Sequence, residues 1–256
     1  MSGGDDLDYL AAGGKLTSPY NATPRYRAEV MRQMAVLTDS LMAGAAGFAD
    51  CINLAPGLRE RITAARIVIE KFGHAERILG LMDQFGANTS QYVSAHPWAA
   101  RRDRSAYFGT RRIEGDMRLN VFHYPIQGWA DSIVLNTLMG RATAVQLDEL
   151  AGCSYAPLAD AIAEILPGEA RHAELGRKGL GALLAKGHDR TDAQASVNYW
   201  YRRVADTFGR TDSERFEIYR KLGLRHRPNQ ALLEQWLGDA RSMLGQFGLE
   251  VPRGGP

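Results

Sequence analysis

Glu169 and His172 stand three residues apart in Gly168-Glu169-Ala170-Arg171-His172, and Lys71 and His74 repeat that spacing in Glu70-Lys71-Phe72-Gly73-His74. Residues three apart on a helix share one face, so each pair aims two polar groups the same way. A four-helix bundle can hold two irons with one Glu from each of two helices and a Glu-x-x-His pair from each of the other two. Here the Glu169/His172 pair is intact, whereas Lys71 sets an ammonium where a ligand carboxylate belongs. Such a set favours acid/base chemistry over metal chemistry, because paired groups in dry surroundings have pKa values pushed apart.

The elements that must carry these residues read as helices joined by Pro- and Gly-marked loops, without repeats or strand-like alternation. After a polar lead-in over 1–24, Met34, Leu37, Leu41, Gly44 and Phe48 recur at the spacing of one helical face. A second helix is expected from Pro56, with Asn53 as its cap, to about Gly80. Ile67, Lys71, His74 and Ile78 form one stripe on it, an inward face with a used polar pair or a solvated stripe. Residues 86–115 are expected to be an Arg-rich connection, carrying Arg101, Arg102, Arg104, Arg111 and Arg112. A third helix from about Gly128 places Asp131 in its first turn, where a carboxylate also favours the positive end of the helix dipole. A fourth, entered after Pro157, runs Leu158, Ile162, Ile165, Glu169, His172, Gly176 and Gly179 along one seam. Charge on an apolar seam is costly unless paired or ligated, which marks Glu169 and His172. Pro167 is expected to kink or restart that helix just ahead of Glu169. Further helices are expected over 192–208 and 229–248, with Tyr199-Trp200-Tyr201 packed in the core and 251–256 as a frayed tail. The fold class is all-α.

At 256 residues and 45% hydrophobic, the chain can bury one substantial core and needs no second domain, so a single domain over 1–256 is expected. A net charge of +2 argues against a generic nucleic-acid binder. Two cysteines, Cys51 and Cys153, are too few for a disulfide scaffold. The acidic start Met1-Ser2-Gly3-Gly4-Asp5-Asp6 lacks an apolar signal region, and no run of roughly 18 apolar residues occurs. The expectation is a soluble cytoplasmic protein with no membrane contact.

From Val30 to His74 the chain resembles the catalytic subunit of ring-1,2-phenylacetyl-CoA epoxidase, a ferritin-like di-iron oxygenase. The matching residues include Met31-Arg32-Gln33, Leu54-Ala55-Pro56-Gly57-Leu58-Arg59 and Phe72-Gly73-His74. The resemblance resumes at Val121-Phe122-His123-Tyr124-Pro125 and Trp129-Ala130-Asp131. It then runs through Cys153-Ser154-Tyr155-Ala156-Pro157 to Glu169 and His172, and returns at Leu249-Glu250-Val251-Pro252. It implies a ferritin-like helical bundle with additional C-terminal helices, and a degenerate metal site. The implied first-helix glutamate falls on Leu41, which has no donor atom. The second-helix pair falls on Lys71 and His74, the third-helix aspartate on Asp131, and the last pair on Glu169 and His172.

Two divalent irons and four carboxylates sum to zero, whereas Asp131, Glu169 and Lys71 sum to minus one, which one protonated histidine neutralises. An ammonium at ~4 Å repels a divalent cation by several kcal/mol even at an effective dielectric of about 20. The reading is therefore a repurposed, metal-free enzyme with no cofactor. Its catalytic set is Lys71, His74, Asp131, Glu169 and His172, with Lys71 meeting an anionic leaving group or oxyanion and Asp131 or Glu169 as base. Intramolecular substitution or cyclisation in specialised metabolism, such as sulfate loss on closing a small nitrogen ring, fits that set. One alternative is a silent structural subunit, since the resembled family pairs an active subunit with a related one lacking a working iron site. The other is an iron oxygenase with an altered site, one metal being held by Asp131, Glu169 and His172. The first is preferred over the structural subunit, because a purely structural cavity is filled at least as well by leucines. The resemblance also implies a hetero-oligomeric partner in the form of a related helical subunit, or else a homodimer. Arg101, Arg102, Arg104, Arg111 and Arg112 are candidates for steering CoA phosphates or an acidic carrier protein.

Overall fold

The computed structural model describes residues 8–113, 115–185 and 190–252, and the regular elements among them are helices. The one β-type feature among the described residues is an isolated bridge between Leu16 and Tyr155. The first long helix, α1 (Pro24–Ala49), starts where Thr23 Oγ1 accepts from the Tyr26 N–H and Pro24 supplies a preset φ. The next, α2, spans Leu58–Gln84. Its N-cap is Gly57, and Asn53 lies in a preceding 3-10 turn where its side chain accepts from Arg61, so the expected Asn53 cap is corrected. Within the Arg-rich connection Asn88 caps a short helix, α3 (Thr89–Ala95), too brief to show a periodicity.

The second half of the bundle is α4 (Gly128–Leu150) and α5 (Ala156–Ala185). Helix α5 runs unbroken through Pro167, so the expected restart does not occur. Both α2 and α4 pack against it and hold its course across the missing hydrogen bond. Beyond lie α6 (Arg190–Ala205), α7 (Glu214–Lys221) and α8 (Asn229–Gln246). Polar on most positions, α7 buries no residue fully, which is why no apolar face announced it.

Helix α1 pairs with α2, and α4 with α5; α6 and α8 pack on α4. One core gathers Leu138, Val145, Trp200 and Trp236 from α4, α6 and α8. Another gathers Val30, Met34, Ile78 and Ile162 from α1, α2 and α5. The α4/α5 crossing is close because of glycine: a Cβ on Gly140 would come within 2.8 Å of the Ala173 Cα, and one on Gly176 within 3.1 Å of the Thr137 backbone. These contacts also set an antiparallel register, Gly140 to Ala173, Thr137 to Gly176 and Ile133 to Gly179. Among the described residues one segment, Pro24–Leu54, is long and apolar enough to cross a membrane by length and composition. Most of that apolar stretch is buried in the bundle, as in a helix of a globular core. Cys51 and Cys153 are buried and unpaired.

Candidate functional site

Lys71 and His74 on α2 reach across to Glu169 on α5. Lys71 Nζ donates to Glu169 Oε2 at 2.5 Å, and His74 Nδ1 lies 2.9 Å from Oε1. Glu169 is fully buried, and Gly168 beside it admits the His74 ring, which a Cβ there would approach to 2.9 Å. His172 stacks on His74 with ring centroids 5.9 Å apart, and its Nδ1 is 3.5 Å from Glu169 Oε1. Burial alone would raise the Glu169 carboxyl. The Lys71 ammonium and the hydrogen bonds from His172 and His74 together outweigh it and hold the group well below the usual carboxylate range.

A residue that the spacing argument passed over completes the cluster. Glu70 Oε2 lies 2.5 Å from His172 Nε2 and accepts from Arg171 at 2.6 Å. Burial opposes its ionisation, but the His172 and Arg171 hydrogen bonds prevail and its carboxyl is lowered. The second-helix carboxylate is thus moved by one residue, about 100° around the helix, to the flank of the cluster. Its signal in the sequence was the four-residue spacing to His74, another same-face relation.

Asp131 stands apart from this cluster, correcting its expected place in it. Arg104 grips both its oxygens at 2.8 and 3.0 Å, Trp200 Nε1 donates at 2.8 Å, and the Gln127 N–H donates at 2.8 Å. The α4/α5 register explains the separation: Asp131 lies beyond Ile133, which is level with Gly179, ten residues along α5 from Glu169. At 1.5 Å per residue that is about 15 Å. The Arg104 guanidinium also lies 3.7 Å from the Tyr199 ring centroid, so both groups are committed to structure. Glu70 replaces Asp131 as the second carboxylate and brings Arg171 with it, so Lys71, Arg171, Glu70 and Glu169 sum to zero without a protonated histidine.

The five arginines of the connection separate likewise. Arg101 turns inward to the carbonyls of Ala43, Trp98 and Ala100, and Arg104 holds Asp131. These two are corrected as docking groups. Arg102 and Arg111 are exposed, and Arg112 lines a cavity.

That cavity, of about 430 Å³, separates α1 from α4. Leu37, Leu41, Phe122 and Met139 give it apolar walls, Arg112 and Arg225 lie in its lining, and Lys71 forms part of its floor. Lys71 also lines a small pocket of about 50 Å³ that holds Glu169 and His172, and with Phe122, Met139 and Thr143 it lies between the two spaces. Leu41 sits in the cavity wall with no donor to offer.

The sequence model of the phenylacetic acid catabolic protein family matches residues 16–255. The chain belongs to that family. It is 24% identical over 232 residues to one subunit of the 1,2-phenylacetyl-CoA epoxidase of Escherichia coli (strain K12), covering 89% of this chain and 70% of the relative. The fold is ferritin-like, in agreement with the family. The side chains do not fit a pair of irons in the usual place of this fold. An ammonium sits on fully buried Glu169, Leu41 of α1 offers no donor atom, and Asp131 is saturated by four hydrogen bonds elsewhere.

Proposed function

We propose that this member of the phenylacetic acid catabolic protein family uses the former metal cavity for metal-free acid/base chemistry, with Lys71 as the group that meets the substrate. The observation that carries the reading is Lys71, whose Nζ is bonded to buried Glu169 and whose side chain lines a 430 Å³ cavity. The reaction class is intramolecular substitution with loss of an anionic leaving group, such as an amine displacing sulfate to close a small nitrogen ring. As the C–N bond forms and the C–O bond breaks, the electron pair leaves with the anion, which the ammonium stabilises in low dielectric. The proton released by the new ring nitrogen leaves through the cavity to solvent, while Lys71 keeps its ammonium and the ionised Glu169 holds it in place. His74 and His172 hold Glu169, and Glu70 holds His172, so the cluster acts as one charge-balanced unit. Arg112 and Arg225 suit an anionic group at the other end of the substrate, free or on CoA or an acidic carrier.

Iron-free protein assayed for sulfate release from amino-sulfate esters tests this. Lys71→Met and Glu169→Gln, which remove the charge at the leaving anion and its anchor, should each lose about a hundredfold or more, the usual worth of a preorganised group at a developing anion. Asp131→Asn should keep the activity of its folded fraction. Activity that requires added iron, or two irons bound at the bundle centre, overturns the proposal. A structural subunit is the second reading, favoured by the relative's being one named component of an epoxidase and by the expected related partner. The unfilled cavity beside an intact charged cluster counts against it.

A further inference from the structure

A second polar cluster lies on the outer side of α1, in residues that the acid/base reading does not use. Asp39 of α1, His96 just after α3, and Asp116 in the connection bring one potential ligand atom each to within 4.8 Å of one another. Asp39 is 1% exposed and Asp116 9%. His96 Nε2 lies 2.8 Å from Asp39 Oδ2 and 3.7 Å from Asp116 Oδ1. Despite the 2.8 Å approach, neither His96 Nε2 nor Asp39 Oδ2 makes a hydrogen bond, because the ring N–H direction is not aimed at the oxygen. That combination characterises two atoms facing a common third point. Ligands about 2.0–2.1 Å from one ion stand roughly 3.0 Å apart at octahedral angles and 3.4 Å at tetrahedral ones. The observed separations bracket those values.

The surroundings resemble a ligand shell. Tyr92 Oη donates to Asp39 Oδ1 at 2.6 Å, while Arg118 donates to Asp116 through Nε at 2.9 Å and its backbone N–H at 3.0 Å. Asp39 is thereby oriented through Oδ1 and keeps Oδ2 free, while Asp116 accepts on both oxygens, Oδ2 from Nε and Oδ1 from the backbone N–H, which fix it and leave a second lone pair on Oδ1, as outer-shell groups orient metal ligands. His123, 1% exposed, has no hydrogen bond at either nitrogen, and its Nε2 lies 3.9 Å from Asp116 Oδ2. It is a buried, unpartnered donor or ligand turned toward the same group. Among the groups in direct contact two carboxylates exceed Arg118 by one negative charge, with Arg101, Arg102 and Arg112 farther out.

We infer that Asp39, His96 and Asp116, with His123 as an adjoining fourth group, form a binding site for a single divalent transition-metal ion. Mixed carboxylate and imidazole ligands suit Zn(II), Mn(II) or Fe(II). The site joins α1 to the Arg-rich connection, and its ligands neighbour Ser40, Leu41 and Met117 in the wall of the large cavity. A bound ion would staple that wall, separately from any chemistry at Lys71.

Metal-stripped full-length protein is titrated with Zn(II) alone, in competition with a chromophoric chelator. One equivalent should bind, and Asp39→Asn and His96→Ala should each weaken it at least about tenfold. Glu169→Gln should leave it unchanged, which distinguishes this site from the bundle-centre cluster. Absence of competition by the wild type, or equal binding by His96→Ala, overturns the inference. If either variant fails to fold, Co(II) added to the wild type gives the same reading: new visible absorption bands support the site, and their absence refutes it.

Discussion

Replacing Lys71 by Met removes the nearest cation from Glu169, a carboxylate that the fold buries completely. Breaking a buried ion pair from one side costs about 3–5 kcal/mol. His74 still lies 2.9 Å from the carboxylate, so the low end, about 3 kcal/mol, is expected. For a chain of this size the unfolding midpoint should fall by about 6–12 °C. Adding Glu169→Gln in the same chain removes the stranded charge and should recover about 2 kcal/mol. The cycle is read by thermal or urea unfolding followed by circular dichroism. Acid provides an independent check on sign. The Glu169 carboxyl is depressed in the folded state, so its stabilisation is complete above the unfolded value of about 4.3 and is lost as pH falls toward the folded one. In Lys71→Met the carboxylate has lost its main support, and the deficit relative to wild type should shrink as pH falls through that window. A midpoint shift under about 2 °C for Lys71→Met, with no recovery in the double variant, would refute the pairing.

Three further outcomes follow from the same geometry. Lys71→Glu rebuilds a Glu-x-x-His pair on α2 opposite Glu169 and His172. Iron bound after anaerobic loading should rise above wild type, measured in an Asp39→Asn background to silence the second cluster. Asp131→Asn deprives Arg104 of its partner, so unfolding should come about 3 kcal/mol earlier while chemistry at Lys71 persists. Gly140→Val drives side-chain atoms into Ala173, already 2.8 Å from an added Cβ, and should cost about 1–3 kcal/mol in urea unfolding.

The helices were legible because their apolar positions recur with a 3.6-residue period, and Lys71, His74, Glu169 and His172 were legible because same-face spacing survives in the chain itself. Glu70 was hidden by its neighbour. Adjacent residues do not face the same way, yet its side chain reaches His172 from the flank of α2. Asp131 was misplaced because position in a first turn says nothing about helix register. That register is set by glycines at the α4/α5 crossing, and the partner Arg104 lies in an aperiodic connection. The Asp39/His96/Asp116 cluster left no trace in any local pattern, since two of its three members lie outside the helices.

Because Lys71 lines both spaces, a molecule in the larger chamber shares that primary amine with the pocket of Glu169 and His172. Small aldehydes or activated esters sized for the chamber would reach that amine as well as exposed ones such as Lys178, and only an occupant of the chamber would protect Lys71 selectively. The adduct, located by peptide mass mapping, would give an occupancy probe for ligands whose identity is not yet in hand.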